Sequence, residues 1–234
     1  DFSEVEAIAI KRNTILAVGD EPDVLAKAGV GASIVELDGK VMLPGFVDAH
    51  THVVAGSIVD SLMDYVGMAR FQTADQVLAY IAEHAQTAQP GEWLAYRNFD
   101  PAVQEGPDEL TFAELDNVTT ENPIFIMNAS GHLAYANSKA FEIAGIDDTV
   151  ANPPGGEYGR DADGRINGVM RNNVAFTPVA NNNPEMANVD PINGLIALLS
   201  KWSEFGLTTV SELSLGGTTS SRRSSCCRPS WLGC

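Results

Sequence analysis

The sequence predicts an α/β fold, on three observations. Residues 43–53, LPGFVDAHTHV, form a short apolar run opened by Pro44 and Gly45 and broken by Asp48, which fits a strand covered by helices on both sides. Residues 123–128, PIFIMN, read as a second buried strand. A helix signal starting at Asp190 runs directly into the β-branched segment LTTV, residues 207–210, giving a helix-then-strand rhythm.

Each element has its own local signature. Residues 4–18 read as two short strands around a turn at Arg12 and Asn13, and residues 33–37 as a third strand before a turn at Gly39. Thr73, with Gln76 three residues on, forms a capping-box signature for a helix through Thr87, whose apolar stripe is Val77, Leu78, Ile81 and Ala85. His84 lies beside that stripe and is expected on the helix surface. The PIFIMN strand ends in Ala129, Ser130, Gly131 and His132, and a helix is expected from Asn137. Residues 155–168 read as an ordered excursion or a hairpin, with a turn signal at Asp163 and Gly164. Their glycines lack the strand-to-helix setting and the Lys-Ser/Thr ending of a phosphate loop. Asn181, Asn182 and Asn183 read as surface connector. In the last helix, Asp190 is the N-cap, Pro191 the first residue and Gly206 the stop, with Ile192, Leu195, Ile196, Leu199 and Trp202 as the expected buried face.

Composition narrows the partners. Against 31 acidic residues stand 14 basic ones, for a formal charge of −17, and nucleic-acid binding needs clustered Lys and Arg instead. No stretch approaches the roughly 20 continuous apolar residues of a membrane span, and no signal-peptide pattern is present. Neither nucleic acid nor membrane is therefore expected as a partner, and a cytoplasmic location is the default. Asp1 is not a natural start, so upstream sequence is expected to be lacking. The three cysteines, Cys226, Cys227 and Cys234, all fall in residues 220–234, a Ser- and Arg-rich segment without acids after a strongly acidic body. Three cysteines complete neither a disulfide set nor a four-ligand metal site. This tail reads as a shifted reading frame or a cloning scar.

The chemistry concentrates at His50 and His52. Side chains two apart on a strand share a face, about 6.5–7 Å apart at the backbone, so two imidazoles there can grip one metal ion. Asp48 lies on the same face. Three polar residues in register on a buried strand require partners, since each unpaired buried group costs about 1–3 kcal/mol. A metal or a hydrogen-bond network is therefore expected beside them.

The segment PGFVDAHTH resembles the first barrel strand of the amidohydrolase superfamily. Residues 93–100 (WLAYRNFD), residues 114–146 (ELDNVTTENPIFIMNASGHLAYANSKAFEIAGI) and residues 155–170 (GGEYGRDADGRINGVM) are similar, in order, to amidohydrolase family 3, the YtcJ-like branch. The resemblance implies a partial (β/α)8 TIM-type barrel over residues 44–219, and part of a small composite β domain over residues 1–43. It implies hydrolysis of amide-type, non-peptide C–N bonds in a small-molecule substrate by a metal-activated water. The divalent metal, zinc first, is expected on His50 and His52. Asp48 is expected either to orient a histidine or to make a structural hydrogen bond. His132 is expected to face the substrate or a reacting oxygen, with capping of the following helix as the alternative. Where the family often carries a carboxylate, this chain has Asn172. Further ligands and the proton-accepting aspartate belong to later strands of the family, so the chain as written is expected to be truncated and inactive. An open sheet edge invites pairing between copies, a homo-oligomer. The alternative is a non-catalytic binding module retaining a relic His-x-His.

Overall fold

The computed structural model describes residues 4–213, so the tail over residues 220–234 lies outside the described residues. The chain divides into two compact units, Asp1–Pro44 and Gly45–Cys234.

In the first unit, β1 (Ala7–Lys11) and β2 (Thr14–Gly19) form an antiparallel hairpin whose turn places Arg12 at φ 57°. Helix α1 (Glu21–Ala28) packs Val24 against Ala9 and Ala17. Its start at Asp20 and Pro22 and its stop at Gly29 are ordinary boundary signals. The expected third strand at residues 33–37 does not form. Among the described residues no strand pairs with it, and Ile34 and Val35 are exposed. An alternating apolar run becomes a strand only beside a partner. The turn at Gly39 is present, closed by the Lys40 N–H on the Leu37 carbonyl at 2.9 Å.

Among the described residues, the second unit contains two separate sheets. The larger has the order β4 (Asp64–Tyr65), β5 (Leu94–Phe99), β6 (Ile124–Asn128), β7 (Leu133–Ala136), β9 (Ile166–Arg171), β8 (Glu157–Arg160). Its first three strands are parallel and the rest antiparallel. Alternation along β6 sends Ile124 and Ile126 to one face with Val77 and Ile81 of α3 (Ala74–Thr87), and Phe125 to the other with Phe141 of α5 (Ser138–Ala144) and Ala175 of α6 (Asn173–Ala180). Each large side chain so buried contributes about 1.5–3 kcal/mol. The short helix α4 (Phe112–Leu115) adds Leu115 to the first face.

Local signals hold well here. Thr73 and Gln76 make both halves of the capping box on α3. Residues 157–171 form the expected hairpin, with Gly164 at φ 82° in its turn.

The smaller sheet pairs β3 (Phe46–Thr51) in parallel with β10 (Leu207–Glu212). Beside it lie α2 (Val53–Leu62) and α7 (Pro191–Glu204). The β6 strand thus belongs to a sheet other than the one that carries His50. Asp190 caps α7 through the Ile192 and Asn193 N–H groups, as expected.

The buried face of α7 is the expected one only in part, with Leu195 and Trp202 half-buried. Ile192 is 64% and Ile196 58% exposed, Leu199 is exposed, and Leu198 is the buried residue. The helices approach through small residues instead: Gly194 lies against Ser57 and Ser61, and Gly56 against Leu198. Close approach at Gly and Ser rotates α7 away from its apolar stripe. None of the described helices is long and apolar enough to cross a membrane.

Candidate metal centre

The strand holding His50, with His52 just past its end and not on the strand as expected, is irregular at this point. Val210 of β10 lies opposite Asp48 and Glu212 opposite Thr51, so two steps on β10 match three on β3. Such a bulge re-aims side chains. Within it the Asp48 carboxylate accepts the His50 N–H at 3.0 Å, so the contact of Asp48 is with the main chain of His50. Thr51 Oγ1 donates to the Ser211 carbonyl at 2.8 Å, and the Leu213 N–H to the Thr51 carbonyl at 3.1 Å.

The chain leaves the strand at His52, whose φ of −123° and ψ of 71° turn it into α2. Glu212 meets that helix start. Its Oε2 accepts the Val54 N–H at 2.9 Å, satisfying one first-turn donor where a carboxylate also complements the helix dipole. Its Oε1 lies 4.0 Å from His52 Nδ1.

The His50 and His52 rings stand 5.5 Å apart between centroids, at 88° to one another. Two imidazoles bonded to one tetrahedral zinc through nitrogens at 2.0–2.1 Å have centroids about 5 Å apart. The ring spacing thus matches that of two ligands on one ion. Among the described residues no group of three His, Cys, Asp or Glu residues comes together as a metal cluster.

One premise of the sequence reading is overturned. The strand is exposed from Phe46 to His50, with Phe46 at 56% and Val47 at 67%, and Thr51 is its buried residue. Helices do not cover both sides, because α2 and α7 pack chiefly on each other. The desolvation argument for a metal accordingly lapses, and the ring geometry stands alone.

His132 lies on the other sheet, in the β6–β7 hairpin and exposed. Its N–H donates to Ser130 Oγ at 3.2 Å, and its carbonyl accepts the Asn172 N–H at 2.7 Å. It does not cap the next helix. That cap is Asn137, whose Oδ1 accepts the Ala140 N–H.

Asn172 joins β9 to α6 with φ 67° and ψ 154°, a region otherwise almost confined to glycine. Its Nδ2 donates to the Gly155 carbonyl at 2.9 Å. His84 is half-buried on α3 instead of fully on the surface, with Nδ1 2.9 Å from the Tyr96 hydroxyl and its ring 4.1 Å from that of Tyr80. Burial first, then the charge of Asp64, pushes the Tyr96 phenol well above its ordinary range.

Sequence reading missed Glu212. The acidic residue ending the LTTVSE strand was a visible signal, but only the β3–β10 pairing brings it beside His52.

Comparison with known proteins assigns the class. A model of the amidohydrolase family, Amidohydro_3, matches residues 33–224, and the chain belongs to this family. It is 33% identical over 165 residues to an N-substituted formamide deformylase of Arthrobacter pascens, covering 70% of this chain and 30% of that protein. It is 30% identical over 166 residues to the protein LONG AFTER FAR-RED 3 of Arabidopsis thaliana, covering 70% and 28%. Identity to the YtcJ protein of Bacillus subtilis (strain 168) is 27% over 166 residues, covering 70% and 31%. The chain thus spans about a third or less of the length of these relatives. A solved metal-dependent hydrolase from Pyrococcus furiosus aligns at 18% identity with a TM-score of 0.44, over 88% of this chain and 40% of that one.

Proposed function

We propose that this chain carries part of the active site of a metal-dependent hydrolase acting on amide-type, non-peptide C–N bonds of a small molecule. The observation that carries this reading is the convergence of the His50 and His52 rings at 5.5 Å in a member of the amidohydrolase family. These two residues would hold a divalent ion, for which zinc is our assignment. When bound, such an ion would lower the pKa of its water to about 7 and would polarise the scissile carbonyl. Catalytic zinc sites use about three protein ligands, and this pair supplies two.

The remaining residues act on positions. Asp48 is proposed to hold the main chain of His50, whose N–H its carboxylate accepts at 3.0 Å. His132, exposed on its hairpin, is proposed to contact the substrate. The parallel pair β3 and β10, with α2 and α7 beside it, supports reading these elements as part of a (β/α)8 barrel, with the six-stranded sheet as an excursion between them.

Metal analysis of the purified chain beside His50→Ala and His52→Ala tests the reading. Stoichiometric zinc that disappears in both variants supports it. A folded chain without bound metal sinks it and turns attention to a non-catalytic binding module.

A further inference from the structure

We propose that Glu212 is the positioning carboxylate of His52: it receives the Nδ1–H of the imidazole and thereby turns Nε2 toward the ion. The inference rests on the metal reading above and deepens it.

Three observations support it. Glu212 is fixed before any ion arrives, because its Oε2 holds the Val54 N–H at 2.9 Å and its backbone is in register with Thr51. Its side chain is only 18% exposed, so Oε1 has a defined place. That oxygen faces Nδ1 of His52 at 4.0 Å, about 1 Å beyond hydrogen-bond range, and the His52 side chain is 54% exposed. A carboxylate on one ring nitrogen fixes the tautomer and orients the other nitrogen, the arrangement that metal-bound histidines use throughout proteins. With Nδ1 committed to Glu212, Nε2 is the nitrogen left for the site shared with His50.

Glu212 therefore has two duties on its two oxygens. One starts α2, and the other aims the ligand that immediately precedes that helix. Glu212→Gln separates them, since the remaining amide oxygen can still accept the Val54 N–H while the charge on His52 is gone.

The test uses the full 234-residue chain and two readouts. Long-range ¹⁵N imidazole spectra of the metal-free chain, taken at about pH 8 where histidine is neutral, report the His52 tautomer. Zinc affinity is measured by competition with a chelator. The parent is expected to show Nδ1–H at His52. Glu212→Gln is expected to shift it toward Nε2–H and to weaken zinc by about 10–100-fold, with an unchanged metal-free melting temperature. An Nε2–H tautomer in the unaltered chain overturns the inference without any variant. Zinc held at parental affinity by Glu212→Gln overturns the inference alone, whereas no zinc in the parent overturns it together with the metal reading.

Discussion

Asp60 on α2 and Arg97 on β5 form an ion pair that joins the helix following His52 to the six-stranded sheet. Arg97 also donates through Nε to the Met63 carbonyl at 3.2 Å and through Nη1 to Asn98 Oδ1 at 2.9 Å, and Lys201 Nζ of α7 lies 3.4 Å from Asp60. At 16% and 25% exposure the pair is largely withdrawn from water. Removing one partner leaves the other charge poorly solvated, a loss of 3–5 kcal/mol when burial is complete. Partial exposure reduces this, so Arg97→Ala is expected to destabilise by about 1–3 kcal/mol, read from urea unfolding. A loss below a few tenths of a kcal/mol would reduce the pair to a surface contact.

Asn137 is fully buried and uses all four of its side-chain hydrogen bonds. Oδ1 accepts from the Ile124 and Ala140 N–H groups, and Nδ2 donates to the Thr119 and Asn122 carbonyls. It therefore closes β6, α5 and the loop before β6 at once. Asn137→Ala is expected to cost about 2–4 kcal/mol, because several buried groups lose their partner together. Equilibrium denaturation measures it, and a cost under 1 kcal/mol would mean that water replaces the side chain.

The unusual backbone of Asn172 gives a test in which glycine is the better residue. Asn172→Gly relieves strain of about 1–3 kcal/mol and loses one exposed hydrogen bond of about 0.5 kcal/mol, whereas Asn172→Ala loses the bond and keeps the strain. The glycine variant is expected to melt above both the parent and the alanine variant. Equal melting temperatures for glycine and alanine would show that the backbone relaxes at no cost.

Burial raises the phenols of Tyr96 and Tyr135 above their ordinary value near 10. The folded chain thus keeps protons that the unfolded chain releases, so the stabilisation is complete below pH 10 and is lost as pH rises beyond it. Denaturation midpoints are expected to be flat from about pH 7 to 9 and to fall steeply above about pH 10. Tyr96→Phe should make that alkaline fall shallower, and an unchanged slope would remove Tyr96 as its source.

What the sequence disclosed follows from how local each signal is. The Thr73–Gln76 box, the Asp190 cap and the Gly164 turn are decided within four residues, and all three stand in the structure. The continuous apolar run in PIFIMN likewise sufficed for a buried strand. Helix α2 was hidden because VVAGSIVDSL is rich in β-branched residues, and its helical state comes from packing on α7. Long-range facts were out of reach: the β3–β10 pairing, the separation of His132 onto another sheet, and the exposure of β3. The His-x-His pair was legible as a ligand candidate from its spacing together with the flanking apolar run and the family resemblance. Its neighbour Glu212, 160 residues from His52, was not.

The direct pairing of β3 with β10 bears on how freely this chain can vary. Thr51 and Ser211 touch across 160 residues, yet loop-closure entropy grows only logarithmically, at about 0.6 kcal/mol per doubling. The length of the segment between them therefore adds little to the entropic cost of closing the pair. The histidine strand and its glutamate behave as a clasp, and the large sheet as what the clasp encloses.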